Sequence, residues 1–133
     1  GVDVPADMQG RSLVSLFKGQ TPDDWRKVFY YHYYENPGAH NVARHYGVTD
    51  GRYKLIRFYA LEGQPLDDWE LFDLKKDPNE LRSVYGSTDY QSIQSKLQQQ
   101  LTAAQEEFGV PEDTDLGSPR RPTRRNTAKP KSK

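Results

Sequence analysis

The stretch Trp69-Glu-Leu-Phe-Asp-Leu-Lys-Lys-Asp-Pro-Asn-Glu80 decides how the rest of the chain is read. Trp69, Leu71 and Phe72 make a short β-prone run, and the Asp-Pro-Asn that follows breaks it into a tight turn. Upstream, Gly51-Arg-Tyr-Lys-Leu-Ile-Arg57 opens a second run directly after Thr49-Asp50-Gly51-Arg52, and the Asp-Gly pair predicts a tight hairpin. Over Tyr53 to Ala60, Tyr53, Leu55, Arg57 and Tyr59 fall on one face, with Lys54, Ile56 and Phe58 on the other. Apolar groups on both faces are the pattern of a central strand.

Working outward, Val42 to Val48 is the strand that enters the hairpin. Val28 to Tyr34 is an earlier, aromatic one, stopped by Asn36-Pro-Gly38. Ahead of them, Thr21-Pro-Asp-Asp-Trp25 reads as a turn. Leu13, Leu16 and Phe17 read as the apolar patch of a short helical turn that Gly19 ends. Beyond the deciding stretch the period changes. Tyr90, Ile93, Leu97, Leu101, Ala104 and Phe108 recur at three and four residues, the stripe of an amphipathic helix packed on a sheet. Thr88 with Gln91 fits a capping box, and Gly109 with Pro111 fits the stop. The expected fold class is α+β: a small antiparallel sheet of about four strands packed by one C-terminal helix, then a disordered basic tail.

Composition bounds what this fold can do. Hydrophobic residues are 34% of 133, and 10 Gly with 9 Pro thin the core further, which predicts packing on a partner. The 9 Tyr, 5 Phe and 2 Trp supply most of the apolar area; strand-filling and polar-ligand roles both fit them. The formal net charge is zero, but residues 117–133 hold seven of the 19 bases and no acid. That leaves 12 bases against 19 acids over residues 1–116, a body of about −7. The tail has three prolines and almost no apolar side chain, so it is expected to be disordered; a solubilising end is its simplest role. A nucleic-acid contact is the weaker reading, and attachment to a polyanionic matrix is a further one. Absence of Cys excludes disulfides, thiolate metal sites and a Cys nucleophile. Nothing approaches the roughly 20 apolar residues of a membrane span, and no leader is visible.

The chemistry-bearing cluster is His32, Glu35, His40, Arg44 and His45, which holds all 3 histidines of the chain. Imidazole beside guanidinium suits an anion, because Arg offers a planar fork to sulfate, phosphate or carboxylate. The histidine spacing, eight then five, matches no compact metal-ligand motif. No Ser stands in a Gly-x-Ser-x-Gly elbow. Asp67, Asp68, Glu70 and Asp73 alternate along a strand, as a solvated edge would.

Taken with these motifs, the chain resembles the C-terminal subdomain of the type I sulfatases of the alkaline phosphatase superfamily, over roughly residues 1–109. Asp7-Met-Gln-Gly-Arg-Ser-Leu13 is similar to the segment that leaves the family's catalytic domain. Tyr46-Gly-Val-Thr-Asp-Gly-Arg-Tyr-Lys-Leu-Ile56 is similar to its hairpin, and Trp69 to Leu74 with Asp77-Pro-Asn-Glu80 to the strand and turn that follow. Tyr30-Tyr-His-Tyr-Tyr-Glu35 and Arg44-His-Tyr-Gly47 resemble bacterial glycan sulfatases of the N-sulfoglucosamine sulfohydrolase and N-acetylglucosamine-6-sulfatase kind. After Glu80, where many relatives carry Asn, this chain has Leu81-Arg-Ser83.

The resemblance implies three parts: residues 1–20 as a connector from a missing catalytic domain, 21–110 as the subdomain, and 111–133 as the tail. It implies substrate-binding roles for His40, Arg44, His45 and His32 against a sulfated saccharide, with the N-terminal sulfatase domain as partner. In the family, a Cys-x-Pro-Ser-Arg or Ser-x-Pro-x-Arg segment supplies formylglycine, and Asp and Asn side chains bind calcium. Neither pattern occurs here, so those cofactors are expected in the missing domain, none in this piece, and the piece alone should be inactive. One sheet face is expected to be buried against the larger domain, in a periplasmic or secreted enzyme. The competing reading is a free-standing module that binds anionic glycan.

Overall fold

The computed structural model describes Pro5 and residues 8–36, 39–61 and 64–110. A short helix α1 (Val14–Phe17) precedes strands β1 (Phe29–Tyr33), β2 (Arg44–Thr49), β3 (Tyr53–Leu61) and β4 (Gln64–Asp73); a 3-10 turn (Thr88–Tyr90) leads into helix α2 (Gln91–Glu107). The four strands form one antiparallel sheet in the order β1-β2-β3-β4, so each pairs with its sequence neighbour. The α+β architecture read from the sequence is therefore the one observed. β4 begins at Gln64 instead of Trp69, because Gln64 and Pro65 already pair with Leu61 and Ala60. The expected disorder of 111–133, and the Pro37-Gly38 break, lie outside the described residues.

Turn chemistry differs from expectation in detail. In the β2–β3 hairpin the Asp50 N–H donates to the Tyr53 carbonyl, so the loop pair is Gly51-Arg52, and Gly51 takes the positive φ, 87°. Asp50 acts instead as an acceptor, its Oδ1 taking the N–H groups of Arg52 (3.0 Å) and Tyr53 (2.8 Å). Those bonds outweigh the cost of burying part of the carboxylate and hold its pKa below the usual range. The turn after β4 is closed by Asp77, whose Oδ2 accepts from Leu81 and Arg82, and by Ser83, whose Oγ accepts from Leu71 and Tyr85. Ser83 and Val84 thereby bond part of the exposed edge of β4. The Thr88 capping box does not form. Thr88 lies inside the 3-10 turn, past the cap position, and no side chain caps either helical segment. Gly109, at φ 59°, ends α2 as expected.

The core lies between the sheet and α2. Tyr46, Val48, Leu55, Tyr59 and Leu71 from the strands meet Leu97, Leu101 and Ala104 from the helix; Val48, Leu55, Leu71 and Leu97 are 0% exposed. Val84 and Tyr85 close its rim, where Tyr85 stacks on Trp69 at 5.7 Å. The α1 patch does not join this core, since Leu13 and Phe17 are exposed. Three buried residues from a long helix, Leu97, Leu101 and Ala104, cover the centre of one sheet face, which is how a chain with so few apolar residues folds around two layers.

Candidate functional site

Adjacent residues on a strand point to opposite faces, and the pairing of Tyr33 with His45 and of His32 with Tyr46 therefore sends the two histidines apart. His32 lies on the helix side, His45 on the open side.

His32 sits in a cage of tyrosines. Its Nδ1 is 2.9 Å from the Tyr30 hydroxyl and its Nε2 3.0 Å from that of Tyr59. Tyr34 stacks on it at 3.7 Å, and Tyr46 and Tyr59 meet it edge-on at 5.2 and 5.4 Å. A neutral imidazole donates from one nitrogen and accepts at the other, so one tyrosine gives a proton and the other takes one. Burial, with a smaller contribution from His45, lowers the His32 pKa to about 4. A β-bulge supplies one wall of the cage. Ala60 and Phe58 pair with Arg44 and His45, so Tyr59 is the extra residue on β3. Next to the cage, Arg57 donates to the Tyr46 hydroxyl at 2.6 Å and pairs with Asp67 at 3.0 Å, lying over Trp69.

His45 stands among rings on the open face. Tyr33 stacks on it at 5.3 Å, Phe58 lies at 5.2 Å and Tyr31 meets it edge-on at 5.9 Å. Its Nδ1 lies 2.8 Å from the Ala43 carbonyl, an acceptor only, so Nδ1 carries the proton and Nε2 is left as an acceptor. Tyr31 crosses β2 at Gly47, where a Cβ would lie 2.9 Å from its ring and collide with the Leu55 backbone oxygen. Lys54, on the same face, pairs with Glu80 at 2.6 Å.

Arg44 is buried, and its Nη2 donates to the Asn36 carbonyl at 2.8 Å; Asn36, 2% exposed, donates in turn to the Val42 carbonyl at 3.0 Å. These bonds tie the two ends of the β1–β2 connection together. His40 is exposed on that connection, next to Asn41 at φ 48°. The structure thus gathers the four sequence-chosen residues around one end of β1 and β2, but as three environments: a cage, an open ring cluster and a loop clamp. Asn36 and the tyrosine cage were not singled out from the sequence, although Tyr30, His32 and Tyr34 at alternate positions carry the signal of a shared face.

The acidic group on β4 also divides. Asp67 and Asp68 are exposed, whereas Asp73 is 3% exposed and bonded to Arg52 at 3.4 Å, so it is not part of a solvated edge. Burial opposes its charge, but Arg52 and the backbone N–H groups of Lys75 and Lys76 hold its pKa low. Among the described residues, no group of three or more His, Asp or Glu is placed to hold a metal ion, and no helix is long and apolar enough to cross a membrane.

Comparison with known proteins places this geometry. Residues 1–107 match the family described as N-sulphoglucosamine sulphohydrolase, C-terminal. The chain is 44% identical over 110 residues to an N-acetylglucosamine-6-O-sulfatase of Bacteroides thetaiotaomicron, which covers 81% of this chain and 19% of that protein. It superimposes with a TM-score of 0.76 and 42% identity on a protein solved in complex with its substrate D-glucosamine-2-N,6-O-disulfate, over 84% of this chain and 22% of that one. A phosphonate monoester hydrolase of Agrobacterium radiobacter, 23% identical with a TM-score of 0.53 over 74% of this chain and 21% of its own, shares the fold. The chain spans about a fifth of the length of the sulfatases it matches. It belongs to the sulfatase C-terminal family of N-sulphoglucosamine sulphohydrolase.

Proposed function

We propose that this chain is the C-terminal wall of the substrate cleft of a glycan sulfatase, acting on sulfated amino sugars. The carrying observation is its 44% identity to an N-acetylglucosamine-6-O-sulfatase. On this reading residues 1–20 lead in from a larger N-terminal domain, which holds the formylglycine nucleophile and the calcium ion, and the protein works in the periplasm or outside the cell. A formylglycine in that domain would supply the acceptor for the sulfuryl group, and the residues of this chain would bind and orient the sugar that leaves.

The open face supports both parts of the reading. Phe29, 56% exposed, with Tyr31, Tyr33 and Phe58, gives the larger domain an apolar surface to cover. At the end of that face, the lone pair on His45 Nε2 can accept a sugar hydroxyl while Tyr33 and Phe58 flank the ring. His40, exposed nearby, supplies a donor for sulfate oxygen. Arg44 acts through the loop: by holding Asn36 it fixes where His40 stands. His32 serves in the same way, keeping β1 and β3 in register from behind.

The test is sulfate release from glucosamine 6-sulfate by the intact protein that contains these residues. His45→Ala and His40→Ala should each raise KM about tenfold or more, the worth of one lost hydrogen bond to a charged or buried partner. Unchanged kcat/KM in both variants overturns the site assignment. The chain by itself should release no sulfate. If the native polypeptide has a mass near 15.4 kDa, the hydrolase reading gives way to a glycan-binding module.

A further inference from the structure

Away from the open face, the N-terminal segment passes the last turns of α2 and leaves a cleft. One cavity of about 250 Å³ lies among Gln9, Arg11, Arg26, Gln100, Glu107 and Phe108. A second, of about 320 Å³, shares Gln9, Arg26 and Phe108 and is walled by Tyr30 and Tyr34, the outer rings of the His32 cage. Each is of the size order of a small-ligand site.

The polar groups here are unevenly engaged. Arg11 is held by the Asp24 carbonyl and by its carboxylate at 3.5 Å. Arg26 donates to the Gln9 carbonyl at 3.1 Å, and among the described residues no carboxylate pairs with it. Gln100 Oε1 is buried and accepts no hydrogen bond among the described residues. An exposed guanidinium with unused N–H groups calls for an anion. Glu107 on the same wall disfavours a ligand that is anionic all round, and it calls for hydroxyl donors instead. The rings of Tyr30, Tyr34 and Phe108 offer flat apolar faces. A pyranose carrying one sulfate meets all three demands: its sulfate suits Arg26, its hydroxyls suit Glu107 and the Gln100 amide, and its C–H face suits the aromatic wall.

Building on the glycan-sulfatase reading, we propose that this cleft is a second sugar subsite, which holds a sulfated pyranose unit of the same glycan apart from the unit being hydrolysed. Such a site would anchor a longer chain to the protein between turnovers.

The test is an NMR titration of the isotope-labelled 133-residue chain with glucosamine 6-sulfate, with inorganic sulfate and unsulfated glucosamine as controls. The expected result is movement of the Arg26, Gln100 and Phe108 signals with the sulfated sugar, weaker movement with either control, and affinity reduced roughly ten- to a hundredfold by Arg26→Ala. Arg26 is exposed, so that variant should fold. Arg26→Lys should recover part of the affinity, and Lys75→Ala, exposed and outside both cavities, should bind as the parent does. Equal response to inorganic sulfate would reduce the cleft to an adventitious anion site and overturn the proposal. Movement confined to Tyr33, His45 and Phe58 would overturn it while leaving the cleft-wall reading intact. No movement at all would also overturn it, and sulfate release by the intact protein would still judge that reading separately.

Discussion

His32 and His45 lie on neighbouring strands, one register position apart, yet the two faces make them different chemical objects. On the helix side, two tyrosine hydroxyls satisfy both ring nitrogens of His32, and burial keeps it uncharged. On the open side, one carbonyl fixes the His45 tautomer and its other nitrogen has no hydrogen-bond partner among the described residues. Residue type therefore says little about role here; the parity of the position along the strand says more. The helix face is covered by the chain itself, while on the open face Phe29 stays 56% exposed.

The strongest way to break that contrast is to hollow the helix face. Leu97→Ala, at a side chain with 0% exposure, should cost about 2–5 kcal/mol in denaturant unfolding. A loss below about 1 kcal/mol would mean that α2 is not what holds the sheet. On the other side, Gly47→Ala should cost about 1–3 kcal/mol, because its Cβ collides with backbone at Leu55 as well as with Tyr31. If the double variant Gly47→Ala/Tyr31→Ala recovers full stability, the ring and not the strand spacing is the constraint, and the open face is more ordered than the contrast allows.

Acid sharpens the comparison further. The folded His32 pKa of about 4 lies below its unfolded value of 6.5, so the unfolded chain binds the extra proton first. Its contribution is complete above pH 6.5 and is lost as pH falls from 6.5 to 4. After allowance for solvent screening of a half-buried group the loss should be about 1–2 kcal/mol. Chemical denaturation across that window should show the slope, and His32→Gln should flatten it; an unchanged slope would relieve the cage of this role. The smallest effect belongs to Tyr33→Ala, partly exposed on the open face, which should move the stability of this chain by no more than about 0.5 kcal/mol. A large loss there would show that the open face is part of the core.

The strands were legible because Tyr53 to Ala60 is a short aromatic and aliphatic run with apolar groups on both faces and the Asp50-Gly51 signal marks a reversal; the helix was legible because Leu97, Leu101 and Ala104 repeat at helical spacing. The site was legible only in part. The sequence shows that His32, His40, Arg44 and His45 lie close along the chain, and proximity in sequence does not distinguish the two sides of a sheet unless register is known. The bulge that brings Tyr59 to His32 depends on how β2 and β3 slip at Arg44, a cross-strand event with no local signature. The burial of Arg44 was equally hidden, since a guanidinium reads as exposed until its carbonyl partner at Asn36 is found. The helix start was misread because a Thr-x-x-Gln spacing does not say which residue leaves the extended conformation first.

The strand order β1-β2-β3-β4 also bears on time. Every pairing in the sheet joins neighbours in the chain, so no long loop must close before the next strand can add, and low contact order favours rapid folding. Synthesis runs in the same direction, and β1 to β4 leave the ribosome before α2 does. Until α2 arrives, the nascent sheet has Val48, Leu55 and Leu71 uncovered, so the interval between the last strand and the last helix is when this chain is most open to aggregation.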